Sequence, residues 1–287
     1  MLIQIRHQSL YEYNTEVFLG IHKLYLIPQH RPYFRIEHQK FSVAPDPDGN
    51  NFRQDLAGNW YKQCWFTGTT ASMDITGEWI FKLQQFNPFG FIIDKEFEEK
   101  GWRDPFFQFN YEEKTSFLIP FRSNKEEKPF TGFLMEVKNR SQGLVDFLVT
   151  LTAEIHREWK YLVRYEQNIW RADFTFSERK GSCRDLSVMQ MEMLRELGLA
   201  TRFVSGYAFN PDLDVDHELH AWLEVYLPGA RWVGLDPSLG LLTDHRYIPL
   251  ATHPDPARTA PVQGSFAGGA DSVLKTRVEM RLLHQGK

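Results

Sequence analysis

The stretch GSCRDLSVMQMEMLRELG, residues 181–198, decides how the rest of the chain is read. Ser182 stands where a helix N-cap belongs and Asp185 falls three residues later, a capping box with Asp in place of the usual Glu or Gln. Cys183 is then the first helical residue. Leu186, Met189, Met193, Leu194 and Leu197 recur at three- and four-residue intervals as one apolar face, and Gly198 is a suitable stop past the end. The pattern predicts a helix from Cys183 to about Leu197, buried on one side, with a thiol at its positive end. Unpaired backbone N–H groups and the macrodipole favour an anion there, so a thiolate at Cys183 is stabilised. A nucleophile is built in this way; a small apolar core cysteine is the plainer alternative.

Partners for the thiol stand downstream. From His220 to Leu227 the chain alternates, with Ala221, Leu223, Val225 and Leu227 on one face and His220, Trp222, Glu224 and Tyr226 on the other, the period of a strand. Pro228-Gly229-Ala230 separates it from a second strand, Arg231 to Asp236. A three-residue loop sets Leu227 against Arg231, and hence Trp222 against Asp236. His220 and Asp236 then share a face as diagonal neighbours, roughly 7 Å apart at the backbone. A two- or four-residue loop without a bulge would put them on opposite faces. Thiol, imidazole and carboxylate make a Cys-His-Asp set in which His220 takes the thiol proton and Asp236 fixes the imidazole tautomer.

Four segments carry a resemblance. Gly181-Ser182-Cys183-Arg184-Asp185, the run from Leu194 to Tyr207, the run from His220 to Gly229, and Trp232-Val233-Gly234-Leu235-Asp236-Pro237-Ser238 together resemble the bacterial transglutaminase-like proteins, often named as candidate cysteine proteases. The N-terminal stretch is similar to that family's own N-terminal domain, through Ile5-Arg6-His7 with Tyr11 and Tyr13, Leu26-Ile27-Pro28, and Asp55-Leu56-Ala57-Gly58-Asn59. The resemblance implies a papain-like catalytic core behind a β-sandwich, with Cys183, His220 and Asp236 in the three catalytic positions. Beyond Asp236 it is partial. His245, Ile248, Pro261-Val262 and Gly264 match, but His253-Pro254-Asp255-Pro256 stands where the family commonly has Gly-Arg-Asp-Tyr.

Composition narrows the function classes. A chain of 287 residues with 42% hydrophobic content suits two cores, and a net charge of −4 gives no broad electrostatic reason to bind nucleic acid or anionic lipid. Two cysteines over a hundred residues apart make no disulfide framework, and CxxC metal spacing is absent. The first residues alternate like a strand and lack a signal-peptide apolar core, and no apolar run approaches membrane-spanning length. The chain reads as soluble and cytoplasmic.

Residues 1 to about 85 carry short alternating or aromatic stretches at Leu2 to Arg6, Ile21 to Ile27, Arg35 to Val43, Tyr61 to Phe66 and Ser72 to Leu83. Turn formers separate them, among them the run from Pro45 to Asn51, and the pattern indicates an all-β sandwich. Cys64 reads as an inert core residue, and His7, His22, His30 and His38 form no ligand pattern. Residues 86 to about 135 read as a connector that packs aromatics along the first domain, with a polar loop from Arg122 to Pro129. From Gly143 the period becomes helical, through Leu144, Phe147, Leu148, Leu151 and Ile155 to Trp159. Trp170 is either a cleft wall near the nucleophile or ordinary packing.

Other chemistries have less behind them. His217 and His220 make His-x-x-His beside Asp214 and Asp216, but zinc needs a third ligand, and i and i+3 on a strand face opposite ways. No Gly-x-Ser-x-Gly elbow and no phosphate-binding glycine loop is present. The last strand, with Leu274, Thr276, Val278, Met280 and Leu282 alternating with charged residues, reads as half-buried.

The expectation is therefore an α+β protein: a β-sandwich with connector over 1–135, then a transglutaminase-like core over 136–287. Its function is cysteine-dependent acyl transfer on an amide bond, by hydrolysis of a peptide or protein such as a cell-wall stem peptide. No cofactor, metal, nucleic acid or membrane partner is expected. Two alternatives stay open: glutamine cross-linking to an amine, and a catalytically silent scaffold.

Overall fold

Polar residues inside the first strand hide its length from the sequence. The expected strand at Leu2 to Arg6 runs on to Leu19 as β1, 18 residues long, because His7 and Ser9 occupy inward positions and satisfy each other through a 2.9 Å hydrogen bond. This computed structural model describes residues 1–284 apart from 112, 123–128, 167 and 212–215. After β1 come β2 (His22–Leu24), β3 (Phe34–Ala44), β4 (Gly49–Gln54), β5 (Trp60–Trp65) and β6 (Thr70–Leu83). The strand β4 corrects the expectation of a turn through Asn51. Gly49 sits opposite Trp65, whose ring lies only 2.0 Å from where a Cβ would be, so glycine here lets two strands close rather than the chain reverse.

The connector departs from expectation as well. Helix α1 (Lys95–Arg103) and the aromatics Trp102, Phe107 and Phe109 pack with Phe147 and Leu148 of the second half, not along the first domain. The reason is a shared apolar layer: Phe107 meets Trp102, Phe109 and Phe147 edge-on at ring separations of 5.0 to 5.5 Å. Residues 123–128 of the polar loop lie outside the described residues.

Then follow α2 (Thr131–Asn139), α3 (Leu144–Glu158), β7 (Lys160–Tyr161), α4 (Ala172–Glu178), β8 (Lys180–Gly181) and α5 (Cys183–Glu196). The helix α5 starts and stops where the sequence places it, and Gly198 takes a φ of 81° against the Phe109 carbonyl. Its expected one-sided burial is corrected. Ser187 and Gln190, off the apolar stripe, are fully buried too, Ser187 because it faces the sheet, where its hydroxyl donates to the Ala221 carbonyl at 3.3 Å, and Gln190 because it faces α3. Gln190 donates to Thr152 of α3 at 2.7 Å.

The remaining strands are β9 (Thr201–Ala208), β10 (Asp216–His217), β11 (His220–Leu227), β12 (Arg231–Asp236), β13 (Leu241–Leu242), β14 (Tyr247–His253), β15 (Val262–Gln263), β16 (Phe266–Ala267) and β17 (Ser272–His284). Among the described residues, β13-β12-β11-β9-β14 form one sheet, packed on α5 through Ala221, Leu223, Val225 and Leu227. The chain then returns. The order β10-β17-β1-β6-β3 puts β17, assigned above to the second domain, beside β1 in the first sheet, and β15 joins β2, β5 and β4 in the other. Both N-terminal sheets enclose one core of Ile3, Ile5, Leu24, Ile75, Trp79, Phe81 and Cys64.

Buried polar contacts lock the two halves together. Asn59, itself oriented by Asp55, accepts from the Thr252 N–H at 2.8 Å and donates to the Thr252 carbonyl at 2.9 Å, so one side chain caps both backbone groups of β14. The Tyr33 hydroxyl donates to the Tyr247 carbonyl at 3.0 Å. No helix among the described residues is long and apolar enough to cross a membrane.

Candidate active site

Local hydrogen bonding at the start of α5 presents Cys183. The Asp185 carboxylate accepts from the Ser182 N–H at 2.9 Å and hydroxyl at 2.7 Å, completing the expected capping box, and from the Trp170 N–H and Arg164 Nη1 at 2.8 Å each. Burial disfavours its charge, but these donors outweigh burial and hold Asp185 below the usual carboxylate range. Arg164 in turn lies over the Trp170 ring at 4.1 Å. Trp170 therefore packs and braces rather than walling the cleft, and its backbone N–H is committed to Asp185.

The hairpin has the register its three-residue loop predicts: Leu227 pairs with Arg231 and Leu223 with Leu235. Extended by one residue, that ladder aligns Trp222 with Asp236 and leaves His220 diagonal to the carboxylate. His220 Nε2 and Asp236 Oδ2 are 2.7 Å apart. Cys183 lines the same cleft as His220, and its sulfur lies near enough to the ring to act on its charge. With Nε2 engaged by Asp236, Nδ1 is the ring atom left for the sulfur. Burial disfavours the imidazolium, but Asp236 and the neighbouring Cys183 outweigh it and hold His220 well above the ordinary histidine range. Thus the structure brings together the three residues singled out in the sequence.

Several supporting residues were not anticipated. Asp236 is fully buried and accepts from Tyr247 at Oδ2, 2.8 Å, and at Oδ1 from the Ser238 N–H, the Ser238 hydroxyl and the Leu239 N–H, at 2.9, 2.6 and 3.2 Å. Against the cost of burial, His220, Ser238 and Tyr247 keep its carboxyl below the usual range. Ser238 was legible in principle: Asp-Pro-Ser is an Asx-turn sequence, whose carboxylate takes the N–H two residues on. Tyr247 gave no local signal, since it arrives from β14. The Tyr161 phenol on β7 neighbours Cys183; burial, then the nearby sulfur, raises its pKa so that it stays a protonated donor.

A cleft of about 940 Å³ opens beside the sulfur. Tyr161, Arg164, Tyr165, Ser182 and His220 line one side; His7, Ser9, Tyr11, Leu274, Lys275 and Thr276 of the N-terminal sheet line the other. Pro256 and Ala257, at the departure from the family pattern, border it as a short 3-10 turn capped by Asp255. Trp222, which shares a strand face with His220, is absent from its lining. It lies 1% exposed against Tyr247 and Val204, covered by β14.

The remaining candidates sort by placement. Cys64 is buried in the N-terminal core, where burial pushes its thiol up. His7 is buried between Tyr207 and Ser9 at 2.9 Å each, and burial lowers its pKa to about 4. Of the His-x-x-His cluster, Asp214 lies outside the described residues, and the Asp216–His217 backbone pairs with β17 in the other sheet. Among the described residues no group of three His, Cys, Asp or Glu side chains could hold a metal ion.

With the geometry in place, comparison with known proteins gives two family matches. Residues 134–237 match the model of the transglutaminase-like superfamily, and residues 3–80 that of the bacterial transglutaminase-like N-terminal region. An uncharacterized protein of Mycobacterium tuberculosis is 30% identical over 148 residues, 48% of this chain and 47% of that protein. One of Mycobacterium leprae is 29% identical over 110 residues, 36% and 38% of the respective chains. The chain thus spans about half the length, or less, of these curated relatives. Among solved structures, a candidate cysteine protease from Cytophaga hutchinsonii superposes with a TM-score of 0.71 at 18% identity, over 100% of this chain and 92% of that one, a likeness of fold.

Proposed function

Because the chain is a bacterial transglutaminase-like protein, with that superfamily's core behind its N-terminal region, we propose that it cleaves peptide or amide bonds through a thioester on Cys183. The sulfur, its proton passed to His220, attacks the amide carbonyl carbon. The resulting oxyanion is held by the Cys183 backbone N–H at the helix start, with the Tyr161 hydroxyl as a second donor. As the C–N bond breaks, His220 returns the proton to the leaving amine. Water, activated by the same imidazole, then attacks the thioester and frees the carboxylate.

One observation carries the reading: a half-buried imidazole bonded to Asp236 at 2.7 Å lies on the same cleft as a thiol at a helix N-terminus. Hydrolysis requires only water at the thioester, whereas amine transfer requires an acceptor site shielded from water. Incubation with a peptide library and a primary amine at neutral pH separates them: new free carboxylates support the hydrolase, and isopeptide products would replace it with a transferase. A Cys183→Ala protein with full turnover would overturn both. Iodoacetamide should alkylate Cys183 rapidly and with pH dependence, and Cys64 slowly; equal, slow labelling would favour a silent scaffold.

A further inference from the structure

The N-terminal domain puts a strand edge, not only a face, against the cleft. On β1 and β17, Ser9 pairs with Thr276 and Tyr11 with Leu274, so these four residues share one sheet face, and all four line the cavity. Lys275 belongs to the opposite face by the period of the strand, yet it lines the cavity too. With its ammonium paired to Glu12 of β1 on that opposite face, what Lys275 turns to the cavity is its backbone.

That edge is open. On the side away from β1, β10 pairs only Asp216 with Glu279 and His217 with Val278, and among the described residues no backbone partner meets Ser272–Arg277 there. The expected half-burial fails over the same stretch: Ser272 to Arg277 are six consecutive exposed residues, and alternating burial begins only at Val278. Every second residue of such a strand directs its N–H and C=O outward, unpaired. Exposed edges of this kind are templates for another strand.

We propose that β17 is the substrate-docking edge, and that an extended polypeptide segment adds to it as a further strand along Ser272–Arg277, which carries its scissile amide past Cys183. The proposal rests on the thiol reading above and names the substrate class: unfolded or extended polypeptide held by its backbone, with affinity from main-chain hydrogen bonds and selectivity from alternate side chains. It also accounts for the return of the chain to β1, since a catalytic core alone would lack this wall.

The test uses acetyl-pentaalanine aldehyde, a probe with almost no side-chain recognition, whose aldehyde carbon adds reversibly to a thiol. Hydrogen exchange read amide by amide, with and without the probe, should show at least tenfold slowing at alternate residues of Ser272–Arg277, and none at their neighbours. Methylation of alternate probe nitrogens should abolish the effect at one parity and spare it at the other. A Cys183 adduct formed without that protection, or insensitive to N-methyl parity, overturns strand addition and leaves the thiol chemistry intact. No adduct at all overturns strand addition at this site together with the reading it rests on.

Discussion

Replacing Asp236 by asparagine should disable the site through a single proton. Oδ1 accepts three hydrogen bonds, from the Ser238 N–H, the Ser238 hydroxyl and the Leu239 N–H, whereas Oδ2 accepts two, from His220 and Tyr247. An amide nitrogen placed at Oδ1 would face two fixed N–H donors. Each buried mismatch of that kind costs about 1–3 kcal/mol, so the amide should settle with its nitrogen at Oδ2. There the Tyr247 hydroxyl rotates to accept, but the ring cannot: His220 must accept at Nε2 and carry its proton on Nδ1, the atom that faces the sulfur. The base is then blocked, and the charge that steadied the imidazolium is gone. A wrong tautomer with an otherwise intact site is expected to lower kcat/KM about 10³- to 10⁴-fold, equivalent to about 4–5.5 kcal/mol of barrier. The assay is kcat/KM on a fluorogenic peptide amide, with thermal unfolding in parallel. Asp236→Asn activity within tenfold of the parent, in a folded protein, would refute the reasoning.

Two further predictions concern what holds the site. Arg164→Gln removes the cation bonded to the fully buried Asp185; with the Ser182 and Trp170 donors still in place, a loss of about 3 kcal/mol is expected by denaturant unfolding, and a loss under 1 kcal/mol would contradict it. His7, its pKa lowered to about 4 by burial, binds a proton more readily unfolded than folded. Its contribution is therefore complete above the unfolded pKa and declines as pH falls toward 4, by about 3 kcal/mol in all. A His7→Gln protein should lack that part of the acid slope, and parallel stability profiles for the two proteins would exclude the effect.

What could be read from the sequence was what is local. The capping residues, the stop at Gly198 and the three-residue loop each act within a few positions, and together they bring Cys183, His220 and Asp236 within reach. The pairing of β17 with β1 closes more than 250 residues of chain, as between Leu10 and Lys275, and no periodicity encodes it. For that reason the far wall of the cleft was invisible. Tyr247 reaches Asp236 from β14, and Asn59 holds β14 from the other domain, through buried polar contacts that hydrophobic patterning does not report. The burial of Trp222 and the placement of the connector aromatics were missed for the same reason: alternation tells which face a residue shares, not what covers that face.

The proposed chemistry passes through one covalent intermediate, a thioester on Cys183. Rapid acid quench during turnover of a peptide ester, followed by proteolysis and mass spectrometry, should find the acyl mass on the fragment that holds Cys183 and none on the fragment with Cys64. Steady turnover with no acylated Cys183 at any quench time, in wild type or Asp236→Asn, would contradict it.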